Sequence, residues 1–163
     1  GVARAGRAMF IGGGRDNLVE NNVFVDCPAS LHVDARGVGW MAYHVQGDGI
    51  LPTRLRDMPY KSPLWQQKYP DLVNILEDAP GLPKGNVVRH NISYGGTWLD
   101  VEAKALPLIA FENNLVDTDP HFVNLEAQDF RLRSDSPAFS RGFQPIPVQK
   151  IGLYADEYRT LRR

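Results

Sequence analysis

The sequence contains a single cysteine, Cys27, among its 163 residues. One cysteine excludes an internal disulfide and a cysteine-rich zinc site. No apolar run approaches the roughly 20 residues that a transmembrane helix needs, and the formal net charge is only −1. A chain of this charge has no general attraction for nucleic acid or for an anionic membrane. We therefore expect neither of them as a partner.

Other common signatures are also weak or missing. Residues 1–7 contain basic residues but no apolar stretch of the kind that a signal peptide needs, so we expect the chain to begin within a longer protein. The glycine run at 12–14 lacks the Lys-Ser/Thr ending of a phosphate loop and indicates a tight turn instead. Four histidines are scattered along the chain, and no metal site is predicted from them: His32, His44, His90 and His121.

A repeat is present in three segments, each with a short apolar stretch, polar residues, an asparagine and an aliphatic residue. The segments are 18–26, 87–95 and 109–117, and the shared asparagines are Asn22, Asn91 and Asn114. Asparagine at a repeated corner can bond backbone groups and tolerates left-handed conformations. Stacked copies would then bond one another, so the repeat predicts a β-solenoid in which each coil buries its inner face against its neighbours.

Two stretches, 31–36 and 99–102, alternate apolar and ionisable residues. In a strand, successive side chains point to opposite faces, so the apolar residues would enter a core and the ionisable ones would line the outside. The outward positions are His32, Asp34 and Arg36 in the first stretch and Asp100 and Glu102 in the second. An ordinary strand with a solvated face shows the same alternation. The pattern therefore allows either a reactive site or a charged surface.

The segment between Gly37 and Gly85 interrupts the repeat and predicts an insertion at 38–84. Apolar spacing indicates helix at 64–78, divided by Pro70, whereas the prolines of 50–63 indicate irregular loop. Long insertions often form the walls of functional pockets. Its aromatic and histidine side chains are candidates for substrate binding: Trp40, Tyr43, His44, Tyr60 and Trp65. We expect residues 134–163 to form a C-terminal cap, with an extended tail at 144–154 over the open end of the solenoid.

Several motifs carry a family resemblance. They are Asn17-Leu18-Val19-Glu20-Asn21-Asn22-Val23-Phe24-Val25-Asp26, His32-Val33-Asp34-Ala35-Arg36-Gly37, Gly85-Asn86-Val87-Val88-Arg89-His90-Asn91-Ile92, Asp119-Pro120-His121-Phe122-Val123-Asn124, Asp129-Phe130-Arg131-Leu132-Arg133-Ser134-Asp135-Ser136-Pro137-Ala138 and Ile151-Gly152-Leu153-Tyr154. With them the chain resembles the C-terminal part of bacterial right-handed parallel β-helix proteins of the pectate-lyase-like superfamily. The resemblance implies an all-β fold: a short right-handed parallel β-helix, with an inserted loop or helical segment, forming one domain over 1–163.

The same resemblance implies a secreted or periplasmic protein that acts on polysaccharides. Within the superfamily the chain looks most like glycoside hydrolases of the fucosidase/xylanase type, which need no cofactor. Such hydrolysis generally uses two carboxyl groups, one as acid and one as nucleophile or base. Stacked strands would bring outward carboxylates together and raise one carboxyl pKa. We expect Asp34, Asp100 and Glu102 as these carboxylates, His32 to orient Asp34, and Arg36 to bind substrate.

Two alternatives stay open. A polysaccharide lyase would take a base and cations from His32, Arg36, Lys61 and Arg89, with calcium as a possible cofactor. A non-catalytic solenoid would bind an oligosaccharide or serve in assembly. Whatever the activity, the first coil would leave an unpaired apolar edge at its N-terminal end. We therefore also expect self-association through this edge, or poor solubility, unless residues 1–10 cap it.

Overall fold

The structure is a computed structural model that describes residues 2–151. Its strands are β1 (Val2–Ala3), β2 (Met9–Gly12), β3 (Leu18–Glu20), β4 (Val23–Cys27), β5 (Leu31–Asp34), β6 (Asn86–Arg89), β7 (Ile92–Gly96), β8 (Leu99–Val101), β9 (Ile109–Glu112), β10 (Leu115–Val116), β11 (Phe122–Asn124) and β12 (Asp129–Leu132). Its α-helices are α1 (Ala42–Val45), α2 (Ile50–Arg56) and α3 (Pro63–Lys68). Short 3₁₀ turns span Arg36–Val38, Pro70–Leu72, Leu106–Leu108, Phe139–Arg141 and Val148–Lys150. Within residues 2–151, no helix has the length and apolar character needed to cross a membrane.

Three parallel sheets organise the chain. Sheet A has the order β1-β4-β7-β10, sheet B the order β2-β5-β8, and sheet C the order β3-β6-β9. The chain passes from sheet A to B to C and then begins the next circuit, so each strand pairs in parallel with its equivalent one circuit away. A separate antiparallel pair, β11 and β12, follows the last circuit. This arrangement confirms the prediction of a mainly β, solenoid-like chain.

The three repeated asparagines form a hydrogen-bonded ladder between circuits. The backbone N and the side-chain Nδ2 of Asn22 each donate to Asn91 Oδ1 at 3.0 Å. In the next circuit, the same atoms of Asn91 donate to Asn114 Oδ1 at 3.0 and 2.9 Å. The asparagines thus lie at one corner in successive circuits, as the repeat predicts. A shorter ladder that the repeat did not reveal joins Asn17 to Asn86 Oδ1.

The left-handed backbone at this corner lies one residue before each repeated asparagine. Asn21, His90 and Asn113 have φ values of 59°, 52° and 50°. We expected the repeated asparagines themselves to adopt this conformation. The structure instead has it at the residue before each of them. The residue that turns the chain is distinct from the residue that bonds the circuits together.

The interior of the circuits is apolar. Its buried side chains are Ile11, Val19, Phe24, Cys27, Leu31, Val33, Val88, Ala105 and Ile109. Leu31 and Val33 belong to this cluster, so the predicted inward face of the strand at 31–36 is confirmed. In the first circuit, Ile11 is 6% and Val19 is 4% exposed. Both of these inward side chains of the first circuit are therefore buried, and self-association through the N-terminal edge stays a prediction.

A second apolar cluster covers the outer face of sheet A. Val23, Val25 and Ile92 pack there with residues of the β11–β12 hairpin and of the C-terminal segment, including Phe143 and Ile146. The described part of the predicted cap therefore lies against the flank of the stacked circuits. Residues 152–163, which complete that predicted cap, lie outside the described residues.

The insertion leaves the circuit after β5 and returns at β6, where sheet B passes to sheet C. Helix α3 and the 3₁₀ turn at Pro70–Leu72 confirm the break at Pro70, but residues 73–78 form turns and a bend, not the predicted second helix. The prediction of irregular loop over 50–63 is wrong for its first half, which forms helix α2. Pro52 lies in the first turn of α2, where its missing N–H breaks no helical hydrogen bond. The two ends of the insertion touch, since a Cβ on Gly37 would lie 2.5 Å from the carbonyl oxygen of Gly81.

Candidate functional site

The outer face of sheet B brings together side chains from three circuits. The strand register places Phe10 of β2 beside His32 of β5, and His32 beside Asp100 of β8. Arg36 and Trp40, at the start of the insertion, reach back over this face. We call this group the sheet B site and define it as Arg7, Phe10, His32, Asp34, Arg36, Trp40, Asp100 and Glu102.

His32 lies at the centre of the sheet B site. Its Nδ1 is 2.8 Å from Asp100 Oδ2, and its Nε2 is 3.6 Å from Asp34 Oδ2. The Phe10 ring stacks on the imidazole with the centroids 4.7 Å apart. His32 is consequently only 7% exposed. The outward row predicted from alternation is present, but its neighbours bury it rather than leaving a solvated surface.

Asp34 is held by Arg36 in a two-pronged ion pair. Arg36 Nε donates to Oδ1 at 2.9 Å and Nη2 donates to Oδ2 at 2.6 Å. The guanidinium lies 5.2 Å from the Phe10 ring centroid and 5.3 Å from that of Trp40, which adds cation–π attraction. Asp34 itself is 5% exposed. This carboxylate is therefore committed to positioning Arg36 and is not open to a substrate.

The two aspartates have lowered pKa values. Hydrogen bonding from Arg36 is the main cause of the lowered pKa of Asp34, and burial opposes it. Hydrogen bonding from His32 is the main cause of the lowered pKa of Asp100, with a further contribution from Arg7, whose Nε lies 3.2 Å away. An ionised carboxylate only accepts hydrogen bonds, so His32 Nδ1 is the donor to Asp100.

The structure does not bring Asp34 directly against Asp100. Glu102, the third expected carboxylate, follows Val101, which pairs with Val33 just before Asp34. The register puts His32, and not Asp34, opposite Asp100. Each aspartate consequently has a hydrogen-bond donor as its main neighbour, and its pKa moves down instead of up. Neither aspartate has the raised pKa that suits a general acid.

Glu102 follows β8 and lies at the edge of the site. Its backbone N donates to the Val33 carbonyl at 3.0 Å, which continues the strand pairing by one residue. Its Oε2 accepts from the backbone N of Ala35 at 3.0 Å. The side chain fixes the turn after β5 and remains exposed. Glu102 therefore combines a structural contact with an accessible carboxylate oxygen.

The other predicted site residues lie apart from this group. Tyr60 is 7% exposed, so its ring is not presented to a ligand. Tyr43 contacts His44 with the rings tilted by 37°, and Trp65 packs on Tyr69. No hydrogen bond, ion pair or ring contact within residues 2–151 joins these side chains to the sheet B site.

The additional cations of the lyase alternative are also elsewhere. Arg89 pairs with Glu20 on sheet C at 2.8 Å. Lys61 lies 3.7 Å from Glu77 within the insertion. A lyase would therefore have to draw its base and cations from Arg7, His32 and Arg36, and His32 Nδ1 already donates to Asp100.

Sequence reasoning missed Arg7, Phe10 and Gly12. All three belong to the first circuit, whose strand β2 pairs in register with β5. The sequence offered little signal for them, because Met9–Gly12 has no polar residue that would mark an outward face. Gly12 contributes through its missing side chain, because a Cβ there would lie 2.6 Å from Arg36 Cζ.

Gly12→Ala should displace the Arg36 guanidinium and weaken its ion pair with Asp34. We expect a fall of about 1 kcal/mol in the free energy of unfolding, because the end of the flexible Arg36 side chain can move away and loses only its contacts there. Urea denaturation measures it. Gly6→Ala is the matched control, since a Cβ on Gly6 has no atom within 4 Å among the described residues. Equal stability of the two variants would contradict this role for Gly12.

Comparison with family models, with curated proteins and with solved structures gives no match. Any proposal for the function therefore rests on the geometry of the sheet B site. Within the described part of the chain, no group of three or more His, Cys, Asp or Glu side chains is arranged to hold a metal ion.

Proposed function

We propose that the chain is a short right-handed parallel β-helix of the pectate-lyase-like type and that its sheet B site binds an oligosaccharide. The three parallel sheets and the asparagine ladder support the fold. The binding proposal rests on one observation: exposed aromatic rings adjoin exposed carboxylates on one sheet face. Trp40 is 68% and Phe10 is 46% exposed, and the Asp100 side chain is 48% exposed.

This combination suits a sugar ring. The C–H face of a pyranose stacks on an aromatic ring, and its hydroxyls donate to carboxylate oxygens. The ion pair of Asp34 with Arg36 holds Trp40 and Phe10 around one guanidinium. A preorganised face of this kind binds with little loss of side-chain freedom. The proteins that the chain resembles are usually secreted, so a secreted or periplasmic location belongs to the same proposal.

Glycoside hydrolysis is a second candidate, favoured by Asp100 and Glu102. They occupy alternate positions of one strand face and its extension, so their carboxylates share the outer surface. The lowered pKa of Asp100 suits a nucleophile or a base that is ionised at neutral pH. Glu102 would then be the proton donor. Asp34 and His32 would act by positioning, since both are buried.

Trp40→Ala should weaken oligosaccharide binding by roughly tenfold or more, because the exposed ring supplies stacking area. Affinity gel electrophoresis over a panel of soluble polysaccharides, followed by NMR titration with the oligosaccharide of the best one, measures this effect. Tyr69→Ala is the control, since Tyr69 is also an exposed aromatic residue of the insertion but packs on Trp65.

The outcomes separate the proposals. No retardation by any polysaccharide, or equal binding by Trp40→Ala, would reject the saccharide site. Release of reducing ends without unsaturated products would identify a hydrolase. Release of unsaturated products would identify a lyase, and binding without products would identify a binding module.

A further inference from the structure

The cations of the sheet B site are already committed to partners within the chain. Arg36 uses Nε and Nη2 on the two oxygens of Asp34, and aromatic rings lie near its guanidinium. Arg7 donates from Nε to Asp100. The charge of each arginine is therefore already paired with a carboxylate of the site.

Carboxylates outnumber fixed cations at the site. The arginines are Arg7 and Arg36, and the carboxylates are Asp34, Asp100 and Glu102. Two carboxylate oxygens, Asp100 Oδ1 and Glu102 Oε1, accept no hydrogen bond from the described residues, and both side chains are exposed. The site therefore offers a ligand acceptor atoms and negative charge.

We infer that the sheet B site takes an amino-sugar oligosaccharide, binds its neutral analogue more weakly and rejects a uronic-acid analogue. This inference rests on the proposed saccharide site. An ammonium group donates three hydrogen bonds and attracts the two exposed carboxylates. A uronate would place a third negative charge beside them, and like charges at a binding surface suppress a wrong partner.

Three β-1,4-linked hexasaccharides of equal length test this selection: glucosamine, glucose and glucuronic acid. Calorimetry at low ionic strength, with NMR titration to locate the shifts on sheet B, should rank them in that order. We expect a difference of roughly tenfold or more between the first and the last. Added salt should narrow the difference, because exposed charges are screened.

Glu102→Gln sharpens the test, because the amide keeps an oxygen for the Ala35 backbone N and removes the charge. It should weaken glucosamine binding relative to glucose and strengthen glucuronate binding. Glu126→Gln, at an exposed turn, is the control and should change neither ratio.

Two failures are distinguishable. Tighter binding of the glucuronate or glucose oligomer at sheet B would overturn the amino-sugar inference and leave the saccharide site standing. Absence of binding by all three oligomers would overturn the inference, and only failure of the wider polysaccharide panel as well would reject the saccharide site.

Discussion

Asn91→Ala should lower the free energy of unfolding by about 3–5 kcal/mol, the largest effect that we expect from a single substitution. Asn91 is 1% exposed, and its Nδ2 donates to the carbonyls of Val19 and Arg89 as well as to Asn114. Its Oδ1 accepts two hydrogen bonds from Asn22. Truncation leaves these buried groups without a partner and opens a cavity. Urea or thermal unfolding followed by circular dichroism measures the loss.

Asn22→Ala is the matched control for the ladder. Asn22 is the first asparagine of the ladder and is partly exposed. Its Nδ2 donates to the backbone carbonyl of Glu20 and to Asn91 Oδ1. Alanine there keeps the backbone N that donates to Asn91, so the cost should be clearly smaller. Similar losses for the two variants would contradict the larger role that burial and additional hydrogen bonds give to Asn91.

Asp34→Asn should destabilise the fold by about 2–3 kcal/mol at neutral pH, the range for a hydrogen bond to a charged group. The amide cannot form the charged two-pronged bond with Arg36, and it weakens the contact with His32. Chemical denaturation at neutral pH measures the change. Asp48→Asn is the control, since its side chain is fully exposed.

The same pair of variants tests the pH dependence. The pKa of Asp34 is lower in the folded state, so the unfolded chain binds its proton first as the pH falls. The stabilisation is present above the ordinary aspartate pKa of about 3.9 and is lost below it, through the lowered folded value. Asp34→Asn should therefore lose less stability than the wild type between neutral pH and this acid range. An identical acid profile would contradict the ion pair as a source of stability.

Local and repeated chemistry was predictable from the sequence. The ladder positions of Asn22, Asn91 and Asn114 follow from one bonding rule applied at each circuit. The inward direction of Leu31 and Val33 follows from strand alternation alone. The break at Pro70 follows from the missing N–H. Each of these features depends on a few neighbouring residues or on one repeated contact.

Features that depend on the register between distant strands were not predictable. The place of Asp100 opposite His32 depends on the lengths of the intervening corners, and it reversed the expected direction of the carboxyl pKa values. The position of Arg36 depends on the missing Cβ of Gly12 in another circuit. Most of the polar side chains around His32 were predicted from the sequence, whereas the hydrogen-bonded pairs that they form were not.

Closing the long loop of the insertion costs little conformational entropy for its length. Asn91 and Asn114, joined without an insertion, are 23 residues apart, whereas Asn22 and Asn91 are 69 residues apart. Loop-closure entropy grows with the logarithm of length, so this threefold difference costs only about 1 kcal/mol. The chain carrying Trp40 could therefore lengthen, shorten or be exchanged during evolution while the stacked circuits persist. Variation of the insertion is thus separable, in this architecture, from maintenance of the fold.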